Sequence, residues 1–282
     1  MSEEKFGSWE AAVVWLREQP EFEQVAKDAY YDDPLASASL RYWSSEEWAS
    51  IRALLGTQRG RALDVGAGRG IASYALAKDG FEVVALEPDP SPLVGAQAIR
   101  SLAQTEELPI EVSESYSEKL PFADASFDLV FARAVLHHTK DLASACAEYF
   151  RVLRPNGRFL AVREHVISKQ RDLPAFLDAH PLHKLYGGEN AFLLSQYISA
   201  IRGAGFNSVI KLSPFESPIN YAPRTRGQLL LELEKRANRI PGARFVTRSI
   251  FRSGPGITLV LKLLSIVDNR PGRLYSFLAC KR

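Results

Sequence analysis

An apolar run, Ala62-Leu63-Asp64-Val65, stops at three glycines spaced G-x-G-x-G: Gly66, Gly68 and Gly70. A helix-like stretch, Ile71 to Lys78, follows at once. Strand, glycine turn and helix in that order form the setting that a nucleotide-binding turn needs. Glycine reaches φ > 0 without strain and lets backbone N–H groups approach a ligand closely. A lone glycine pattern is weak evidence, so the rest of the chain must supply matching parts.

It supplies them by alternation. Ala62–Val65, Glu82–Leu86, Ile110–Val112, Phe127–Phe131 and Arg158–Val162 read as strands, with Ile71–Lys78, Leu93–Ala103 and Leu142–Val152 as helices between them. Arg154-Pro155-Asn156-Gly157 reads as the turn that closes the last helix. A helix over Leu194–Ala204, a strand near Ser208–Leu212 and a strand over Arg273–Ala279 complete the set. The pattern predicts an α/β fold, a doubly wound and mostly parallel sheet of seven strands buried on both faces.

The chain divides accordingly. Residues 1–58 are expected to form a helical lid, 59–165 the cofactor-binding core, 166–193 a cap insertion, and 194–212 a continuation of the core. Residues 213–272 are expected to be a second cap and 273–282 the final core strand. All four tryptophans, Trp9, Trp15, Trp43 and Trp48, precede the sheet with Tyr30, Tyr31 and Tyr42. They line a substrate lid or pack these helices on the core, and packing is the reading for most of them.

Composition narrows the class. The two cysteines, Cys146 and Cys280, have no metal-ligand spacing, and the start Met-Ser-Glu-Glu-Lys carries no secretory pattern. A cytoplasmic location is the expectation. The longest apolar run, Ile257 to Val267, is interrupted by Lys262 and is too short to cross a bilayer. The net charge of +2 hides a split: after Tyr221 there are 13 Lys/Arg against three acids, +10, so the first 221 residues carry −8. An anionic partner and a solvated basic face are the two readings of that split.

Together the motifs resemble a class I S-adenosylmethionine-dependent methyltransferase, of the methyltransferase-11-like group that includes small-molecule and sugar O-methyltransferases. The resemblance is carried by Leu63-Asp64-Val65-Gly66-Ala67-Gly68-Arg69-Gly70, Glu87, Leu120-Pro121-Phe122, Ser126-Phe127-Asp128-Leu129-Val130, Leu136-His137-His138 and Val152-Leu153-Arg154-Pro155-Asn156-Gly157. It implies S-adenosyl-L-methionine as cofactor. Gly66, Ala67, Gly68 and Gly70 would pass along its methionine part, and Asp64 would orient that loop or accept from the amino group. Glu87, 17 residues after Gly70, would accept from the ribose hydroxyls, and Pro88 would pack on the adenine. Ala132 and Arg133, at the end of the fourth strand, would border the cofactor. The acid that the family often carries before Leu-Pro-Phe is missing, because Ser115-Tyr116-Ser117-Glu118 holds no Asp. The Ser117 hydroxyl or the backbone near Ser117 and Glu118 would hold the adenine instead.

By the same resemblance, His137 or His138 is a catalytic base, with Glu164 and His165 beside it. Removing a proton as a carbon–oxygen bond forms suits an imidazole. Glu164 would orient that base or bind a substrate hydroxyl. Tyr186, Glu189 and Asn190 read as a substrate-binding loop, or as a turn in which Asn190 caps the following helix. No metal is expected, since the five histidines have no ligand spacing on a clear helix. The expected enzyme methylates a hydroxyl of a small-molecule or carbohydrate-like, anionic acceptor. Carbon or nitrogen methylation, and a non-catalytic cofactor-binding or membrane-surface protein, are the alternatives. Nucleic acid is not an expected partner: there is no Asn/Asp-Pro-Pro-Tyr/Phe sequence and no basic–aromatic strip.

Overall fold

A computed structural model describes residues 6–179, 189–239 and 253–282. Its sheet has strands β1 (Arg61–Val65), β2 (Glu82–Leu86), β3 (Ile110–Ser113), β4 (Phe127–Arg133), β5 (Leu153–Ile167), β6 (Phe192–Leu193), β7 (Val209–Leu212) and β8 (Arg273–Cys280). Seven of them run in the order β3-β2-β1-β4-β5-β8-β7, and the two-residue β6 adds an eighth strand beside the end of β5. β8 is antiparallel to both its neighbours, while the other pairings are parallel.

Side chains alternate across the sheet, and both faces are covered. Leu63, Val65, Val130 and Ala132 turn to one face, under the helices Leu142–Val152 and Leu194–Gly203. Ala62, Leu129, Phe131 and Leu160 turn to the other, against Ile51, Trp48 and helix Ile71–Lys78. Strand order reverses between β1 and β4. Ligands in open α/β sheets bind outside the carboxyl ends of the strands at such a point, because the chain leaves in opposite directions there and opens a crevice.

Two local departures have physical causes. β5 was expected at Arg158–Val162 but begins at Leu153, and the Arg-Pro-Asn-Gly turn survives inside it as a bulge. Phe127 pairs with Leu153 and Leu129 with Arg158, so the extra residues loop out. The Asn156 N–H reaches the Lys281 carbonyl at 2.7 Å and keeps the loop tied to the sheet. The helix expected from Leu93 starts at Ala96 instead. Gly95 sits where an added Cβ would lie 2.1 Å from the Asp89 carbonyl oxygen, and the Ala96 N–H is bonded to that oxygen at 2.7 Å. The turn therefore has to finish first.

Helices Trp9–Glu18, Glu23–Asp28, Leu35–Trp43 and Glu46–Leu55 precede the sheet. Ser8 and Ser45 cap two of them, and Gly56, at φ +63°, ends the last. Asp79 pins them to the core: its carboxylate accepts from Trp43 Nε1 (2.7 Å), Trp48 Nε1 (3.0 Å) and Arg52 Nε (2.7 Å). Buried Glu47 accepts from Arg133 Nε at 2.8 Å and lies 3.7 Å from the Arg163 guanidinium. Arg133 also lies over the rings of Tyr30 and Tyr42. The pair therefore ties the ends of β4 and β5 to the helices above them. Replacing Glu47 by alanine leaves two largely buried guanidinium groups without their carboxylate. We expect unfolding free energy to fall by about 3 kcal/mol, read as a lower urea midpoint at unchanged slope.

Candidate active site

The glycine turn is built by steric exclusion. Gly66 and Gly70 have φ of +60° and +86°. A Cβ on Gly66 would come 2.8 Å from Val135 Cγ2, where the chain leaves β4, and one on Gly70 would press on Ile99 at 3.2 Å. Gly68, at φ +54°, has nothing nearer than 3.9 Å on its open side. That opening faces a cavity of about 850 Å³ bounded by the exits of β1, β2 and β4. Gly66, Ala67 and Gly68 line it. Gly70 does not; it starts helix Ile71–Lys78 as a left-handed cap.

Two acids stand at the strand ends. Asp64 is buried and accepts from the Ser73 hydroxyl at 2.6 Å. Glu87 accepts from the Gly68 N–H at 2.7 Å and the Asp89 N–H at 2.9 Å, so it braces the glycine turn. Burial pushes each carboxyl up to about 7. Pro88, Ser117, Glu118 and Arg133 also line the cavity, whereas Ala132 is buried behind it. Glu118 accepts from the Lys140 N–H at 2.9 Å and lies 3.3 Å from the Ser117 hydroxyl. Asp128 lies at the other end of β4, where it accepts from the Arg61 N–H and from Arg154.

The histidines meet at the mouth of β4. His137 is buried, and its Nδ1 lies 2.8 Å from Glu164. Glu164 also accepts the backbone N–H groups of Val135, Leu136 and His137 at 3.1 to 3.2 Å. Burial pushes its carboxyl up to about 7, against the pull of those donors. A bulge in β5 aims it: Ala161 pairs with Phe277 and Glu164 with Tyr275, one residue more on β5 than on β8. Arg163 takes up the bulge at φ +61°. Glu164 is fully buried and does not line the cavity, and its side chain meets His137 instead. His165 does line it, edge-on to His137, with Nδ1 bonded to the Gly272 carbonyl at 3.0 Å.

Opposite stands Glu189, 3.6 Å from His137 Nε2 and 3.7 Å from the more exposed His138 Nε2. His137, His138 and Glu189 bring ligand-type atoms within 4.8 Å of one another, a cluster that spacing along the chain did not reveal. Asn190 is not in the lining and is no helix cap, since the next helix begins at Leu194. Tyr186 lies outside the described residues. Of the four tryptophans only Trp9 reaches the cavity, with Tyr30 and Tyr31. Arg69 holds that edge down, donating to the Tyr30 and Asp32 carbonyls at 3.1 Å and to Asp33 at 2.6 Å. Among the described residues, the basic segment after Tyr221 does not reach the cavity. Arg224 and Arg236 both pair with Glu232 on the surface and do not line the cavity.

Residues 63–161 match the family model described as a methyltransferase domain. The chain carries a class I S-adenosylmethionine-dependent methyltransferase domain. It is 30% identical over 118 residues to the uncharacterised methyltransferase YcgJ of Bacillus subtilis, an alignment covering 42% of this chain and 46% of that protein. It is 28% identical over 234 residues to the sarcosine/dimethylglycine N-methyltransferase of Halorhodospira halochloris, covering 82% of this chain and 78% of that one. The chain thus spans about half the length of the first of these relatives and more of the second. A crystal structure of a putative sarcosine dimethylglycine methyltransferase from Galdieria sulphuraria superposes with TM-score 0.55 at 22% identity, over 89% of this chain and 90% of that one. The shared fold is the Rossmann-like methyltransferase sheet.

The methyltransferase cofactor is S-adenosylmethionine, and the cavity suits it. Backbone can be approached closely at Gly68. Each oxygen of Glu87 accepts one N–H and keeps a lone pair for a vicinal diol. Only an ionised Glu87 carboxylate could accept from both hydroxyls of such a diol, and burial pushes its carboxyl up to about 7. Affinity for S-adenosylhomocysteine should therefore rise with pH through 7, weakening about tenfold from pH 8 to pH 6. Calorimetric titration checks this. Glu87→Gln should flatten most of the profile, and any residual slope reports Asp64 or Glu164, whose carboxyls burial pushes up to about 7 as well.

Proposed function

We propose that this methyltransferase domain methylates a hydroxyl of a small-molecule acceptor, with His137 as proton acceptor and Glu164 as its positioning residue. One observation carries the reading: the buried Glu164 carboxylate, 2.8 Å from His137 Nδ1, calls for the proton on Nδ1 and leaves Nε2 as a lone pair toward the cavity. When bound, S-adenosylmethionine would supply the methyl group, with S-adenosylhomocysteine as the other product. The hydroxyl proton passes to His137 Nε2 as the oxygen attacks, and Glu164 stabilises the resulting imidazolium. Holding the acceptor in line with the methyl group and excluding water supply much of the rate. Residues 1–58 act as a lid, with Trp9, Tyr30 and Tyr31 on its inner side.

In this reading, Asp64 and the Gly66-Ala67-Gly68 backbone take the methionine part, Glu87 the ribose, and Pro88, Ser117 and Glu118 the adenine side. Arg133, held by Glu47, borders the cofactor at the end of β4.

A second reading, methylation of an amine, is favoured by Glu189. Its carboxylate stands on the wall of a cavity that also carries Trp9, Tyr30 and Tyr31. A carboxylate with aromatic faces is a setting for an alkylammonium group. The sarcosine/dimethylglycine enzyme of similar sequence is an N-methyltransferase by name.

A panel of hydroxyl and amine acceptors, assayed for methyl transfer, separates the two. For a hydroxyl acceptor, His137→Ala should lower kcat by roughly 10²- to 10⁴-fold. Glu164→Gln should move the acid limb of the pH profile while cofactor affinity stays unchanged. For an amine acceptor, Glu189→Gln should instead raise KM, and His137→Ala should have little effect on kcat.

A further inference from the structure

Exposed apolar side chains gather at one place on the surface. Among the described residues, Leu259, Leu263, Ile266 and Val267 of helix Gly254–Val267 are 52 to 70% exposed. Helix Arg226–Ala237 adjoins it through Leu229. Helix Gly254–Val267 is already packed on its other face. Ile257 and Leu261 meet Tyr221 and Leu229, and the Ser265 hydroxyl accepts the Phe215 N–H at 3.0 Å. Leu259, Leu263 and Ile266 recur at i, i+4 and i+7, so they form a stripe opposite that packing. A helix apolar on both faces is expected to be covered on both.

We propose that this stripe docks the protein on an anionic bilayer surface, with helix Gly254–Val267 lying in the plane of the interface. Fourteen residues span about 21 Å, short of the hydrocarbon core, and no described helix is long and apolar enough to cross a membrane. The charge around the stripe selects the occupant. Over the described residues 226–239 and 253–267, which hold these two helices, there are five Lys/Arg against two Asp/Glu. Lys262 is exposed on the helix itself, and Lys235 and Arg239 are exposed toward the end of the adjoining one. A second copy would bring the same positive surface against itself, because an isologous contact meets its own patch, and like charges there repel. An anionic lipid surface meets both properties, apolar insertion and positive charge, which interfacial helices combine. None of these residues lines the cavity, so the proposal is independent of the acceptor chemistry.

The test is co-sedimentation of the full chain with phosphatidylcholine vesicles, with and without phosphatidylglycerol, at low and high salt. We expect binding to the phosphatidylglycerol vesicles only, weakened by salt. Leu263→Glu with Ile266→Glu should reduce the partition coefficient by at least about tenfold. Leu40→Glu, at another exposed apolar position, should not. Because Leu263 and Ile266 are exposed, the double variant should melt at the wild-type temperature, and melting is measured alongside. The proposal is overturned if the wild type stays in the supernatant, if it binds neutral vesicles equally, or if the double variant still sediments. It is also overturned if the chain elutes as a dimer that Leu263→Glu converts to a monomer, which would assign the stripe to a second copy.

Discussion

A single buried carboxylate organises the mouth of the sheet. Glu164 accepts three consecutive backbone N–H groups, from Val135, Leu136 and His137, together with the His137 imidazole. Those donors belong to the turn that leaves β4, and Val135 in turn is what forbids a side chain at Gly66. The glycine turn, the β4 exit and the histidine pair are therefore one packed unit. Burying a carboxylate is costly unless its lone pairs are met, and four donors meet them here. The arrangement sets the ring orientation of His137 before any ligand arrives.

The helices ahead of the sheet are held by contacts that each join a group of the N-terminal segment to a core group. Asp79 gathers Trp43, Trp48 and Arg52. Glu47 meets Arg133, which also stacks on Tyr30 and Tyr42. Arg69, from the glycine turn, donates to two carbonyls of the Tyr30–Asp32 segment. Most of these helices' aromatic side chains go into packing, and the edge that Arg69 holds is where Trp9, Tyr30 and Tyr31 turn toward the cavity. The glycine turn and the Tyr30–Asp32 segment are thus joined directly, through the two carbonyls that Arg69 holds.

Much of the fold was legible in the residues. The alternation of apolar strands with amphipathic helices predicted every strand of the seven-strand path, because local period and glycine placement are short-range properties. Less legible were features made by register. The fifteen-residue β5 hides a turn-like Pro-Asn-Gly as a bulge, since pairing with β4 and β8 outweighs the local turn preference. The second bulge, at Arg163, has no glycine to announce it, yet it decides which way Glu164 faces. Aromatic density before the sheet was plain, but nothing in the spacing of Trp9, Trp15, Trp43 and Trp48 said that only the first would reach the cavity. The basic tail was equally plain, but nothing in its composition said that its described residues would stay out of the cavity lining, with two of its arginines paired to Glu232.

By itself the sequence determined the strand–glycine–helix turn, the acid at the end of β2 and the histidine pair after β4. Each depends on residues within a few positions of one another: a φ that only glycine reaches easily, a period of two, a period of 3.6. Only the tertiary structure decided which histidine is oriented and by what. His137 and Glu164 are 27 residues apart, and Arg69 and Asp33 are 36 apart. Such partners meet only once strand order, register and one extra residue in β5 have been settled together. No local pattern carries that information, because a shift of one residue turns the same side chain to the opposite face of the sheet.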